Sequence, residues 1–159
     1  MILPDPMAMA AALPARGAVF GLDLGTRTIG LATSDATRTV ASPLETLRRT
    51  KFTRDAEALF ARMDHRAVVG LVLGWPREMD GREGSRCQAT RAFADNLLKI
   101  RDIPLLFWDE RLSTSAVQRM MVEEFDLSRG RRAAKVDAAA AAYILQGALE
   151  ALARGRPVS

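Results

Sequence analysis

The chain has 159 residues, of which 48% are hydrophobic and 26% are charged. These values are typical of a single soluble domain, and no apolar run approaches the roughly 20 residues of a membrane-spanning helix. The composition therefore argues against an integral membrane protein, and we expect no membrane partner. The formal net charge of +4 favours polyanionic partners such as nucleic acid.

Cysteine and histidine are nearly absent. Cys87 is the only cysteine, which excludes a disulfide framework and a thiolate zinc site. Since no basic and then apolar leader precedes the domain, a reducing cytoplasm is the expected compartment. His65 is the only histidine and falls at the end of a predicted helix, which argues against Ser-His or Cys-His catalysis.

The first third of the chain predicts a leader followed by three antiparallel strands. Residues 1–16 are rich in Ala, Met and Pro and lack periodicity, so we expect a disordered leader or, since Met7 and Met9 are also plausible starts, an upstream start-codon artefact. The apolar run 18–24 predicts a buried strand, and 28–34 follows a short turn as its hairpin partner. Residues 40–47 add a third strand, in which Pro43 marks an edge or a bulge.

The remainder of the chain predicts alternating helices and strands. Apolar residues at helical spacing indicate a helix over 52–65, and the apolar run 67–73 indicates a parallel strand covered on both faces. A helix over 87–100 then precedes a short buried strand over 104–108. A further helix begins at Ser113 or Thr114 and extends to about Phe125.

A basic loop over 129–132 leads into a final Ala-rich helix over about 136–153. The resulting order, βββαβαβαα, predicts an α/β fold: a ribonuclease H-like mixed five-stranded sheet, with three antiparallel strands before the parallel ones and helices on its faces. This domain would cover 17–153 and leave a short tail over 154–159. Its first strand would be central, with the carboxyl end at the mouth of a cleft.

Asp23 places one carboxylate inside the otherwise apolar first strand. A buried ionised Asp is costly unless a cation, a metal or hydrogen bonds compensate it, although Asp also bonds to its own turn. Gly25 and Thr26 follow directly and suit a tight turn that a phosphate can approach. We interpret Asp23 as a functional residue.

Asp109 and Glu110 end the last predicted strand and are followed by Arg111. Because side chains alternate along a strand, only one of the two acids can point at Asp23. We favour Glu110 as the catalytic member, and the other acid would pair with Arg111 or order the loop. Both acids remain candidates.

Asp137 is expected in the first turn of the last helix, where any acid is favoured by the helix dipole. Four cations precede it closely, so the helix start could hold both a metal and a phosphate. The same basic run could also be a solvated loop. The four cations are Arg129, Arg131, Arg132 and Lys135.

Three acidic sites at the ends of separate elements predict divalent-metal chemistry on a phosphate ester. With Asp23, Glu110 and Asp137 as oxygen ligands and no His or Cys cluster, one or two Mg²⁺ or Mn²⁺ ions are expected rather than Zn²⁺. Such ions activate water and stabilise the leaving oxygen in phosphodiester hydrolysis.

Four segments in order carry a resemblance to a known family: GLDLGTR over 21–27, ASPL over 41–44, DERLST over 109–114, and KVD over 135–137 followed by Ala139 and Ala140. Over about residues 17–152 the chain resembles the YqgF/RuvX family, which is described as pre-16S rRNA nucleases related to Holliday junction resolvases. The resemblance implies a ribonuclease H-like nuclease in a bacterial cytoplasm that trims the 5′ end of the 16S rRNA precursor.

Carried over by position, the family's acidic residues fall on Asp23, on Asp109 or Glu110, and on Asp137, with Arg111 as the basic residue of the site. Arg27, within the first segment, joins the basic residues near Asp137 and Arg111 as an expected nucleic-acid contact.

One departure from the classical resolvases concerns the second acid, which in them ends the fourth strand. Here that strand ends Gly74-Trp75-Pro76 without an acid, so the fifth strand must supply it. Trp75 could stack on a base or pack in the core.

Several functions therefore stay open. The chain could be a nuclease on precursor rRNA, acting on ribosomal precursor particles, or a resolvase of four-way DNA. Since resolvases act as symmetric dimers, an expected monomer would count against the second possibility. A non-catalytic RNA-binding assembly module is a third, and a single lobe of an actin-like ATPase is a fourth, although such ATPases need two lobes.

Overall fold

A computed structural model describes residues 1–77, 80–110 and 129–155, and of residues 129–136 it describes the backbone alone. The strands among these residues are β1 (Ile2–Leu3), β2 (Val19–Leu24), β3 (Thr28–Ser34), β4 (Ala41–Arg48), β5 (Gly70–Trp75) and β6 (Leu105–Asp109). The helices are α1 (Pro6–Ala12), α2 (Phe52–His65), α3 (Ser85–Ile100) and α4 (Arg129–Arg154). The helix expected from Ser113 or Thr114 lies outside the described residues.

The strands form one mixed sheet in the order β1-β6-β5-β2-β3-β4. β2, β3 and β4 are an antiparallel meander, and β2 pairs in parallel with β5, which pairs in parallel with β6. The predicted α/β class, with the strand that carries Asp23 in the interior of the sheet, is confirmed. The prediction of five strands is wrong, because β1 pairs in parallel with β6 as a sixth strand.

The prediction of a disordered leader over residues 1–16 is also wrong. Ile2 pairs with Leu105 at the edge of the sheet, and α1 buries Met9 completely. The guanidinium group of Arg38 donates hydrogen bonds to the carbonyl oxygens of Pro14 and Gly17 at 2.7 and 2.8 Å. A few buried contacts therefore order a segment whose sequence shows no periodic pattern.

Side-chain alternation along the interior strands divides the core into two layers. Leu22, Leu71 and Leu105 pack with α2 and α3 on one face of the sheet. Val72 and Leu106 pack with α4 on the other face. No helix among the described residues is both long and apolar enough to cross a membrane.

The final helix begins earlier than its sequence indicates. Residues 129–132, predicted as a basic loop, form the start of α4, since Arg, Ala and Lys are good helix formers and a single Gly is tolerated. Asp137 is therefore the ninth residue of α4 as described, more than two turns from Arg129, and not in its first turn. The helix dipole no longer accounts for an acid at this position.

Candidate active site

The register of the antiparallel meander places Asp23 in a row across the sheet. Asp23 pairs with Gly30, and Gly30 pairs with Thr46, so the three residues share one face. That face is the one covered by α4, because Gly21, two residues before Asp23, lies directly under Leu145. The carboxyl group of Asp23 therefore lies between the sheet and α4, and Asp23 is half-buried.

Gly30 lets α4 approach the sheet beside Asp23. A Cβ atom at Gly30 would lie 2.1 Å from the carbonyl oxygen of Asp137, so only a residue without a side chain fits there. This contact brings Asp137 next to the Asp23 row. The hydroxyl group of Thr28 donates a hydrogen bond of 2.7 Å to Oδ2 of Asp137, which fixes the direction of that carboxylate.

Gly74 makes the corresponding space at the end of β5. A Cβ atom at Gly74 would lie 2.5 Å from Oε1 of Glu110 and 2.7 Å from Cδ1 of Ile144. The side chain of Glu110 thus crosses over Gly74 on the α4 face, and it reaches the carboxyl group of Asp23, with which it shares a hydrogen bond. The end of β5 therefore carries Gly74 and not the acid that the classical resolvases have at this strand. The side chain of Glu110, which follows β6, fills the space above Gly74.

Asp109 points to the opposite face of the sheet. It lines a cavity there together with Trp75, Phe107 and Arg91. Trp75 is buried and packs against Phe107 at a ring-centroid distance of 4.5 Å, so its ring is part of the core packing. The structure brings Asp23, Glu110 and Asp137 together and separates Asp109 from them.

Burial dominates the electrostatics of the acidic pair. It raises the pKa of Asp23, and the nearby charge of Asp137 adds to this rise, while the hydrogen bond with Glu110 opposes it. Burial and the charge of Asp23 together raise the pKa of Glu110 to about 8. Because a hydrogen bond between two carboxyl groups needs a proton, the pair holds one at neutral pH.

Among the described residues, Arg86 in the first turn of α3 is a cation whose charge acts on this pair. Its positive charge lowers the pKa of both Asp23 and Glu110. Four residues of the site were not predicted from the sequence: Arg86, Thr28, Gly30 and Gly74. The two glycines inside strands were the available signal, because a strand glycine often marks the close approach of other atoms.

The basic residues expected to bind nucleic acid are placed only in part. Arg27 is exposed at the turn between β2 and β3. Arg111 lies outside the described residues, as do the side chains of the four cations that precede Asp137 on α4.

The donor set consists of carboxylate oxygens, which suit Mg²⁺ or Mn²⁺. A divalent cation would also relieve the unfavourable crowding that raises the pKa of Asp23 and Glu110. Within the described parts of the chain, no three acidic, His or Cys side chains converge as a complete metal cluster. Asp137 is held instead by Thr28, beside the pair.

Known proteins resemble this chain in sequence and in fold. Residues 17–151 match the model of the RuvX family, described as Holliday junction resolvase. A relative from Rhodospirillum rubrum, named "Putative pre-16S rRNA nuclease", is 66% identical over 148 residues, which are 93% of this chain and 92% of the relative. A relative of the same name from Phenylobacterium zucineum is 57% identical and covers 96% of this chain and 98% of its own length.

The solved structure of Thermus thermophilus RuvC in complex with Holliday junction substrate has a similar fold, with a TM-score of 0.53 at 13% identity. The alignment covers 85% of this chain and 94% of that protein. This likeness confirms the ribonuclease H-like architecture. The family model and the closely similar relatives together establish that the chain belongs to the RuvX family of nucleases.

Proposed function

We propose that the protein is a metal-dependent endonuclease that cleaves phosphodiester bonds in the precursor of 16S rRNA, at its 5′ end, in the bacterial cytoplasm. The observation that carries this proposal is the half-buried pair of Asp23 and Glu110, which share a hydrogen bond beside Asp137. Such a group of acids is costly for stability, and a divalent cation compensates it.

Asp23 and Glu110 would hold one or two Mg²⁺ or Mn²⁺ ions, with Asp137 as the third acidic residue. A bound ion of this kind lowers the pKa of a water molecule and stabilises charge on phosphate oxygens. Arg86 lies close enough for its positive charge to act on the acidic pair, and this charge would favour an incoming phosphate. Thr28 holds Asp137 in one orientation.

Precursor rRNA is favoured as substrate by the names of the two relatives, which are 66% and 57% identical to this chain. The excess of basic residues over acidic ones also favours nucleic acid. Ribosomal precursor particles are then the natural source of the substrate.

The test compares variants of the two neighbouring acids at the end of β6. We expect Glu110→Gln and Asp23→Asn to abolish Mg²⁺- or Mn²⁺-dependent cleavage of a precursor 16S rRNA transcript, and Asp109→Asn to retain it. The same variants are checked by circular dichroism for an intact fold. Full cleavage by Glu110→Gln, or loss of cleavage in Asp109→Asn alone, would remove the assignment.

Resolution of four-way DNA is the second candidate, favoured by the description of the matching family model. It requires a two-fold symmetric pair of active sites. Cleavage of a synthetic four-way junction at a higher kcat/KM than precursor rRNA, by a protein that is dimeric in solution, would favour this function over the first. A monomeric protein that cleaves RNA but not four-way DNA would exclude the resolvase function.

A further inference from the structure

A groove of about 660 Å³ lies at the end of the antiparallel meander, next to the candidate active site. Three arginines and three threonines line it, and no acidic residue does so among the described residues. The lining residues are Thr26, Arg27, Thr28, Thr46, Arg48 and Arg49. The volume is in the range of ligand-binding clefts, and the lining offers only cations and hydroxyl groups.

Strand register connects this groove with the acidic residues. Thr28 pairs with Arg48, which places both on the same face of the sheet as Asp23, one row further toward the turn. Thr28 contributes to both sites, because it lines the groove and donates its hydroxyl hydrogen bond to Asp137. A strand lying in the groove would therefore reach the acidic residues directly.

Arg49 fixes the wall of the groove. Its guanidinium group donates a hydrogen bond of 2.6 Å to the carbonyl oxygen of Gly25 and lies 5.7 Å from the ring centre of Phe93. Its backbone N–H donates to the carbonyl oxygen of Arg27 at 2.8 Å, which joins the turn to the end of β4. These hydrogen bonds hold the two sides of the groove, the β2–β3 turn and the end of β4, against each other.

Arg27 and Arg48 are exposed at the mouth of the groove, and neither forms an ion pair with an acid in the described part of the chain. Exposed guanidinium groups bind phosphate oxygens with two parallel hydrogen bonds. An RNA phosphodiester chain offers such oxygens at every nucleotide.

The cavity on the opposite face of the sheet differs in charge. It measures about 440 Å³ and contains Arg77 and Arg91, but Glu83 and Asp109 line it as well. The salt bridge from Arg77 to Glu83, at 3.3 Å, compensates part of its positive charge. A polyanionic strand is therefore favoured in the groove at the end of the meander and not in this cavity.

We infer that the groove between the β2–β3 turn and the end of β4 binds the phosphodiester backbone of the RNA strand and leads it to Asp23, Glu110 and Asp137. Arg27 and Arg48 contact phosphates, while Arg49 shapes the groove. The identity of the strand as RNA rests on the proposed function. Since none of the described residues that line the groove is aromatic, we expect contacts to phosphates and not to bases there.

The experiment measures the Kd of a fluorescent single-stranded RNA across a series of salt concentrations, with EDTA present so that nothing is cleaved. Each lost phosphate contact lowers the slope of log Kd against log salt by about 0.7 on a single strand. We expect this decrease for Arg27→Gln and for Arg48→Gln, and twice the decrease for the double variant. Arg48→Lys, which keeps the charge, should keep the slope.

The matched control is Arg66→Gln. Arg66 is exposed at the far end of α2, and the 14 residues of that helix place it roughly 20 Å along the axis from the end near the groove. The inference is overturned if the salt slopes of Arg27→Gln and Arg48→Gln equal that of Arg66→Gln. It is also overturned if these variants lower the salt slope with four-way DNA but not with RNA. Because cleavage is not measured, an inactive wild type would refute the proposed nuclease function without affecting this result.

Discussion

Gly74 and Glu110 fit together so closely that a Cβ atom on Gly74 would lie 2.5 Å from Oε1 of Glu110. The bare backbone at the end of β5 is therefore part of what positions the second acid. Gly30 does the same for Asp137, whose carbonyl oxygen lies where the glycine has no side chain. Two glycines thus allow the acids of three different elements to meet on one face of the sheet.

Gly74→Ala should reduce cleavage strongly while the protein stays folded. The added methyl group must displace the carboxyl group of Glu110, and misplacement by about 1 Å can cost on the order of 10²-fold in rate. Steady-state cleavage of the precursor transcript measures this. Gly70→Ala is the control, because Gly70 lies on the same strand and face as Gly74. A Cβ atom at Gly70 would meet the side chains of Leu13 and Met9, at 2.8 and 2.9 Å, and no acid. Equal activities of the two variants would contradict the role of Gly74.

Thr28→Val should lower kcat because it removes the hydroxyl group that holds Asp137. A hydrogen bond to a charged group contributes about 1.5–3 kcal/mol, so an effect of at least about tenfold is expected. Thr28→Ser keeps the hydroxyl group and should restore most of the activity. A valine variant with the kinetics of the wild type would show that Asp137 needs no such support.

The stability of the metal-free protein should fall as the pH rises from about 4.5 to about 8. Folding raises the pKa of Glu110 from 4.5 to about 8, so the folded state retains a proton that the unfolded state has released. Urea unfolding across this pH range measures the effect, and Glu110→Gln should flatten the curve. A curve that stays equally steep in Glu110→Gln would assign the pH dependence to other groups.

Added Mg²⁺ should act in the opposite direction. A cation that binds ionised carboxylates competes with protons, so the rise in Tm should be larger at about pH 8 than at about pH 5. Thermal unfolding of the wild type and of Asp23→Asn measures this difference. If Mg²⁺ raises the Tm of both proteins equally, the cation does not bind at Asp23.

The N-terminal helix should contribute measurably to stability. Met9 is completely buried, and replacing a buried Met with Ala costs about 2–5 kcal/mol. Met7 lies on the same helix but is 68% exposed, so Met7→Ala should change the free energy of unfolding little. Equal urea midpoints for Met7→Ala and Met9→Ala would mean that α1 adds nothing to the core.

Strong patterns in the sequence predicted most of the sheet. The apolar run that contains Asp23 and the apolar spacing over 52–65 correspond to β2 and α2, because burial selects these patterns directly. β1 and α1 escaped prediction because two paired residues and a seven-residue Ala-rich helix leave no periodic signal. Tertiary contacts order them instead.

The proximity of the acids was predictable only in part. Alternation along β6 separates Asp109 from Glu110, and this follows from strand geometry alone. That Glu110 is the acid beside Asp23 depends on the space over Gly74, and the position of Asp137 depends on Gly30. A single sequence does not reveal which strand glycine another element will cross. The assignment of catalytic and metal-binding roles to these acids stays a prediction for the variants above.

Cys87, the only cysteine, is 1% exposed, and burial raises the pKa of its thiol. Thiol reagents react with the thiolate, so this side chain should stay inert in the native protein. A cysteine introduced at an exposed position, for example in place of Arg66, could then be labelled selectively with a fluorophore or a spin label. Distances from such a label to bound RNA could then be measured without first replacing Cys87.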